Sequence, residues 1–185
     1  MNHSKHRQKE ISTKPFSEIV IGVAVVLLSV MVTIRADSSQ LSKEGFSRLQ
    51  EQAKSRSPTA MLALGKAYRD GMLVTRNYTT AAQWYRMAAE AGNAEAGLLL
   101  GLCYSSGIGV AKSTRDAIFW LQRSSDLGNI DAQFYLGLLF ESVEMENEAL
   151  ALWLKAANAG HVAAQTKAGF ALLESTSFGW ENQRN

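Results

Sequence analysis

The side chains able to do chemistry are few here, and their spacing assembles no reaction centre. His3 and His6 lie in the first fifteen residues, and His161 follows a glycine that stops a helix. No HExxH, no Cys/His metal spacing and no Ser/His/Asp arrangement can be built from that inventory. No serine has a lysine three residues later, which removes the acylating serine of the SxxK type. The run SSGIGVAKST at 105–114 superficially looks like a phosphate loop. It has Ala111 where the glycine before Lys112 is needed, and no strand precedes it, so it reads as an inter-helix loop.

Cys103 is the only cysteine, which excludes an intramolecular disulfide. Between Leu102 and Tyr104 in a helical pattern it reads as a small buried hydrophobe, with no adjacent cation to activate a thiolate. Four carboxylates, Glu141, Glu144, Glu146 and Glu148, fall in one short stretch. They read as a solvated turn that favours the N-terminus of the next helix. A cation or basic-partner site is the alternative, although the spacing fits no calcium loop. No cofactor or metal set is expected.

Charge is informative once divided along the chain. Residues 1–15 carry Lys5, Arg7, Lys9 and Lys14 against Glu10, whereas residues 36–185 hold 14 basic and 15 acidic side chains. The basic pI therefore reports the N-terminal tail and argues against a nucleic-acid surface. Within the neutral part, residues 37–86 are net +4 and residues 87–185 net −5. Such a gradient orients a partner more than it tightens one.

The elements follow from hydropathy and repetition. Residues 1–15 form a basic tail expected in the cytoplasm. Phe16 to Ile34 is a 19-residue apolar run with one charge, Glu18, near its start. At about 1.5 Å per residue it nearly spans a hydrocarbon core of roughly 30 Å. Residues 16–35 are therefore expected to be an uncleaved transmembrane anchor, since a signal-peptide core is shorter and Ile34-Arg35 before Ala36 makes a poor cleavage site. The positive-inside rule then places the repeats across an inner membrane, in the periplasm. Cleavage, giving a secreted or periplasmic product, is the alternative. Residues 36–56 read as a capping helix with Leu41, Phe46, Leu49 and Ala53 at helical spacing.

From Ser57 the sequence repeats itself. Leu64-Gly65 returns as Leu100-Gly101 and Leu136-Gly137, 36 residues apart each time, and weakly as Ala168-Gly169. Ala60 returns as Ala96, Ala132 and Ala164, and Tyr68 as Tyr104 and then Phe140. A period of this length marks a solenoid. Each unit divides into two helices. The first is capped by Ser57 (with Pro58), Asn93 or Asn129. The second starts near Thr79-Thr80 or Ser113-Thr114 and stops at Gly92, Gly128 or Gly160. Gly65, Gly101 and Gly137 fall in mid-helix at about 1 kcal/mol each, a cost that makes sense if two helix backbones touch there.

The pattern Ala…Leu-Gly…Tyr…Gly…Gly-Val…Ala…Trp-Tyr…Ala-Ala…Gly-Asn resembles the Sel-one-like repeats, relatives of the tetratricopeptide repeats. Unit one matches through Ala60, Leu64, Gly65, Tyr68, Gly71, Val74, Ala81, Trp84, Tyr85, Ala88, Ala89 and Gly92. Unit two matches through Ala96, Leu100, Gly101, Tyr104, Gly107, Gly109, Val110, Ala117, Trp120 and Gly128. The units run 57–93, 94–129 and 130–161. The third lacks the glycine loop and four residues, with Leu152-Trp153 at the Trp-Tyr positions. Residues 162–185 supply a first helix, Val162 to Glu174, and a tail whose Phe178 and Trp180 fold back or trail.

The resemblance implies an all-α, right-handed α/α solenoid of about three and a half helix pairs, and a non-enzymatic adaptor that binds a protein or peptide. If the first helices line a concave face as in tetratricopeptide repeats, Leu62, Lys66, Arg69, Leu98, Leu102, Phe134, Leu138, Glu141 and Phe170 project toward it. An apolar stripe rimmed by cations at one end and glutamates at the other suits an extended or helical peptide. A cell-envelope enzyme or accessory acting on peptidoglycan or a β-lactam is the rival reading, and no residue set supports it. A homo-oligomer fits as well, since a short solenoid draws its stability from neighbouring interfaces.

Overall fold

The structure, a computed structural model, describes residues 42–181. Among the described residues there are eight helices and no strand, nearly all within one compact unit that begins at Gly45. Helix α1 spans 42–54. It is followed by α2 (Pro58–Asp70), α3 (Tyr78–Glu90), α4 (Ala94–Ser106), α5 (Thr114–Asp126), α6 (Ile130–Ser142), α7 (Glu146–Asn158) and α8 (Val162–Glu181). The apolar stretch at residues 16–34 lies outside the described residues. None of the described helices is long and apolar enough to cross a membrane.

Six of these helices, α2 to α7, have 13 residues each, and five of them, all but α7, start at a side-chain cap. Ser57 Oγ accepts from the Ala60 amide at 3.4 Å, and Asn93 and Asn129 Oδ1 accept from Ala96 and Ala132 at 2.8 Å. Each cap satisfies one of the amides a helix N-terminus leaves open. Ser113 caps α5 as expected. In α3 the cap is Asn77, two residues ahead of the expected threonines, since its carboxamide reaches the Thr80 amide at 3.0 Å. The second helices end two residues before Gly92, Gly128 and Gly160, which turn the chain at φ 86 to 91°.

Between the two helices of a pair, units one and two use the same loop. Asn77 donates its amide to the Tyr68 carbonyl, and Ser113 its amide to Tyr104, both at 2.9 Å. Gly109 presses this loop onto the start of α3: it has φ +75°, and a Cβ there would strike the Tyr78 carbonyl. In unit three the link shrinks to Val143–Met145, with Glu144 at φ 63°. α7 has no side-chain cap, and Glu146 and Glu148 in its first turn supply negative charge to its open amides.

The repeated Leu-Gly pair explains the packing. Leu64, Leu100 and Leu136 are buried, and so are Ala60, Ala96, Ala132 and Ala164. The mid-helix glycines differ from expectation. They make room chiefly for a side chain rather than a second backbone. A Cβ on Gly65 would collide with the Tyr85 ring, one on Gly101 with Leu121 Cγ at 2.6 Å, and one on Gly137 with the Trp153 indole. The backbone of the second helix approaches only to 3.3 Å, at the carbonyls of Ala81 and Ala117. Each unit thus locks its two helices by a knob in a glycine seat. At the other end, α8 continues to Glu181, so the stretch holding Phe178 and Trp180 extends a helix instead of folding back. No proline interrupts it.

Candidate interaction surface

The first helices α2, α4 and α6 place their positions side by side, and two cavities open along them. The first, about 220 Å³, lies between α2, α3 and α4 and is lined by Arg69, Tyr85, Leu99, Leu102, Cys103 and Ile108 among others. The second, about 490 Å³, lies between α4, α5 and α6, with Leu102, Lys112, Leu121, Tyr135, Leu138 and Ser142 in its wall. Leu102 belongs to both, so the two adjoin in one track across units one to three, apolar in the first cavity and mixed in the second.

The nine residues projected toward this face divide by burial. Leu62 and Leu98 are buried in the core, 8% and 7% exposed, and form its floor. Leu102, Phe134 and Leu138 are half-buried, and Phe170 is 63% exposed. The structure brings Arg69, Leu102 and Leu138 to the cavities. The charged members are engaged: Lys66 Nζ binds Glu95 of the next first helix at 2.5 Å, and Lys167 of α8 binds both oxygens of Glu141 at 2.8 and 2.7 Å. Arg69 holds Asp70 through Nε and Nη2. That contact raises the guanidinium's pKa and keeps the exposed Asp70 carboxyl below its usual range.

Two polar groups facing the first cavity bear on chemistry. Burial pushes the Cys103 thiol up, so it rests protonated. Tyr85 is 1% exposed, and its buried hydroxyl has no partner among the described residues. Desolvation pushes its pKa up to about 12. Neither group is a nucleophile near neutral pH. Among the described residues no three His, Cys, Asp or Glu side chains are grouped as a metal ion needs.

Sequence reasoning missed Tyr78, Ile108 and Tyr135 as cavity residues, because they come from a second helix, a loop and an off-register position. It also missed the work of His161. That imidazole caps α8, with Nδ1 accepting from the Ala164 amide at 3.0 Å. It stacks on Phe134 at 4.6 Å, and Nε2 faces Asp131 at 3.4 Å. The signal was present in the series Gly-Asn, Gly-Asn, Gly-His at the unit ends.

The Sel1 repeat family matches residues 58–93, 94–129 and 130–161. The chain is similar to a protective antigen present in uropathogenic Escherichia coli strains that displays an SLR fold, with 27% identity and a TM-score of 0.70 over 73% of this chain and 30% of that one. It is similar to a Sel1 repeat protein from Oxalobacter formigenes, with 29% identity and a TM-score of 0.60 over 67% of this chain and 52% of the other. MamA, at 23% identity and a TM-score of 0.53, shares the fold alone. The chain thus spans about half or less of the first two structures. No protein with a curated functional description matches it.

Proposed function

Because the chain belongs to the Sel1 repeat family, a class of typical protein–protein interaction scaffolds, we propose that it is a non-enzymatic, membrane-anchored adaptor. It binds a protein or peptide along the first-helix face, outside the cytoplasm. The observation that carries this reading is the track of two open cavities joined at Leu102, with Leu138 in the second. The first cavity is nearly all apolar, and the second carries Lys112, Thr114 and three serines beside its leucines, the apolar wall with a few placed polar groups expected where side chains of an extended or helical peptide insert. With Lys66 held by Glu95, Glu141 by Lys167 and Arg69 by Asp70, specificity is left to shape and to Lys112 and Tyr135, which line the second cavity.

The anchor at residues 16–34 rests on the hydropathy of the sequence, and the periplasmic placement on the basic tail before it. A reporter fused after Asn185, read together with membrane fractionation, tests both. Activity outside the cytoplasm in a membrane-bound, full-length chain supports the proposal; a soluble, shortened product makes the repeats a free secreted binder. Leu102→Arg and Leu138→Arg in the full chain test the face itself. Loss of a cross-linked envelope partner with an unchanged melting curve supports the reading, and retention of every partner contradicts it.

A further inference from the structure

Charge along the two cavities is of one sign. Arg69 borders the first and Lys112 the second, and no carboxylate belongs to either wall. The two cations are not equivalent. Arg69 holds Asp70 through Nε and Nη2, so its charge is already met. Lys112 is exposed, and among the described residues its Nζ has no hydrogen bond or ion pair. Ser105, Thr114 and Tyr135 stand in the same wall, with hydroxyls that likewise make no hydrogen bond among the described residues. Ser106 and Ser142 differ, since they donate to the Leu102 and Leu139 carbonyls at 2.7 and 2.6 Å. The second cavity therefore offers one cation and three unused donors, and no acid to meet them. The first offers the opposite. Its volume of about 220 Å³ falls below the roughly 300–1,000 Å³ of drug-sized ligand pockets, and it fits a single side chain. Leu99, Leu102, Ile108 and two tyrosines wall it, so a charged occupant would lose water with no counter-ion free to replace it.

We propose that the segment bound along this track carries an apolar side chain seated in the first cavity and, within a few residues of it, a carboxylate seated in the second against Lys112 Nζ. This rests on the peptide-binding reading above and adds the partner's chemistry to it. The two residues are near neighbours because Leu102 and Ser106 belong to both walls. A carboxylate accepts from the ammonium and from the hydroxyls together, and such charge-assisted hydrogen bonds are the stronger kind. A basic side chain in the same place would face Lys112 with no acid to hold it. The acidic residues of the third unit do not reverse that preference. Glu141 is held through both oxygens by Lys167, and Glu144, Glu146 and Glu148 line neither cavity. An exposed ion pair adds little strength, so the carboxylate selects and orients the segment while the apolar residue supplies most of the hold.

The test pans the full chain, held in detergent micelles, against a displayed random-peptide library. The expected result is enrichment of Leu, Ile, Met or Phe within a few residues of Asp or Glu. Lys112→Glu, an exposed change that leaves the packing alone, is expected to keep the apolar residue and turn the enriched charge from acidic to basic. For an enriched peptide, Lys112→Ala weakens binding by about two- to fivefold, the size of an exposed ion pair. The same peptide slows alkylation of Cys103, the only thiol of the chain and part of the first cavity's wall. Enrichment of apolar residues without acidic neighbours, or the same charge preference in Lys112→Glu, overturns this inference and leaves peptide binding standing. A bound peptide that leaves Cys103 alkylation unchanged overturns the seating in the first cavity. No enrichment of any sequence contradicts the peptide-binding reading as well.

Discussion

Trp153 lies across Gly137, and its indole Nε1–H donates to the Phe134 carbonyl at 3.3 Å, one residue short of a helical turn before that glycine. The contact fastens the shortened third unit with a larger knob than the Tyr85 and Leu121 of the units before it. Lys167 of α8 then lies 4.9 Å from the indole centroid while holding Glu141, so the last helix is joined to the third unit through the same side chain.

The glycine seats predict opposite effects from one substitution. Gly65→Ala and Gly137→Ala gain about 1 kcal/mol of helix propensity and lose about 1–3 kcal/mol to overpacking against Tyr85 and Trp153. A net loss is expected at both. Gly169→Ala meets nothing within 4 Å among the described residues and is expected to gain up to about 1 kcal/mol. Denaturant unfolding of the three variants checks the signs.

Tyr85 predicts an alkaline limb. Its hydroxyl ionises near pH 10 when unfolded and is pushed up to about 12 in the fold by desolvation. Between those values the unfolded chain has released a proton that the folded chain retains, so stability falls as pH rises from about 10 to 12. Tyr85→Phe removes an unpartnered buried hydroxyl. It is expected to be neutral or stabilising by about 1 kcal/mol at neutral pH and to flatten that limb. Melting temperature against pH measures both effects.

Gly109 predicts the least tolerated single change in a loop. Alanine there meets a positive φ and the Tyr78 carbonyl together. A loss of more than about 2 kcal/mol is expected from left-handed strain plus the collision. Its counterpart one period earlier, Leu73, already sits at φ 64°. Leu73→Gly is therefore expected to be tolerated or to stabilise, as thermal melting would show.

His161 predicts a cap. Its Nδ1 can accept from the Ala164 amide only while unprotonated. His161→Ala is expected to cost about 1 kcal/mol, and His161→Asn to restore the hydrogen bond without the Phe134 stack. Hydrogen exchange at the first amides of α8 distinguishes the two variants.

Most of the fold was legible because the sequence states it three times. The caps at Ser57, Asn93 and Asn129 are local chemistry, and the buried Leu64, Leu100 and Leu136 follow from periodicity. What a glycine seat holds was not legible: Tyr85, Leu121 and Trp153 share a position but not a residue type, and only packing shows that they are equivalent. The lining of the two cavities was half legible. Register projection gave Leu102 and Leu138, but it could not show that Leu62 and Leu98 are buried beneath them, or that Lys66 and Glu141 are taken by Glu95 and Lys167. Those facts depend on the offset between neighbouring helices. The end of α8 was misjudged: the helix runs on through the Ser-Thr-Ser stretch and Gly179 to Glu181, although serine, threonine and glycine are poor helix formers.

The most direct measurement is site-specific photo-cross-linking in cells, with the probe placed in the full-length chain at position 102 or 138, and at exposed Gln122 or Lys155 on the second helices as controls. The account predicts one discrete adduct, larger than a dimer of the chain can explain, from 102 and 138 and none from the controls. Adducts from the second helices alone, or none from either face, would contradict an adaptor that works through its first-helix track.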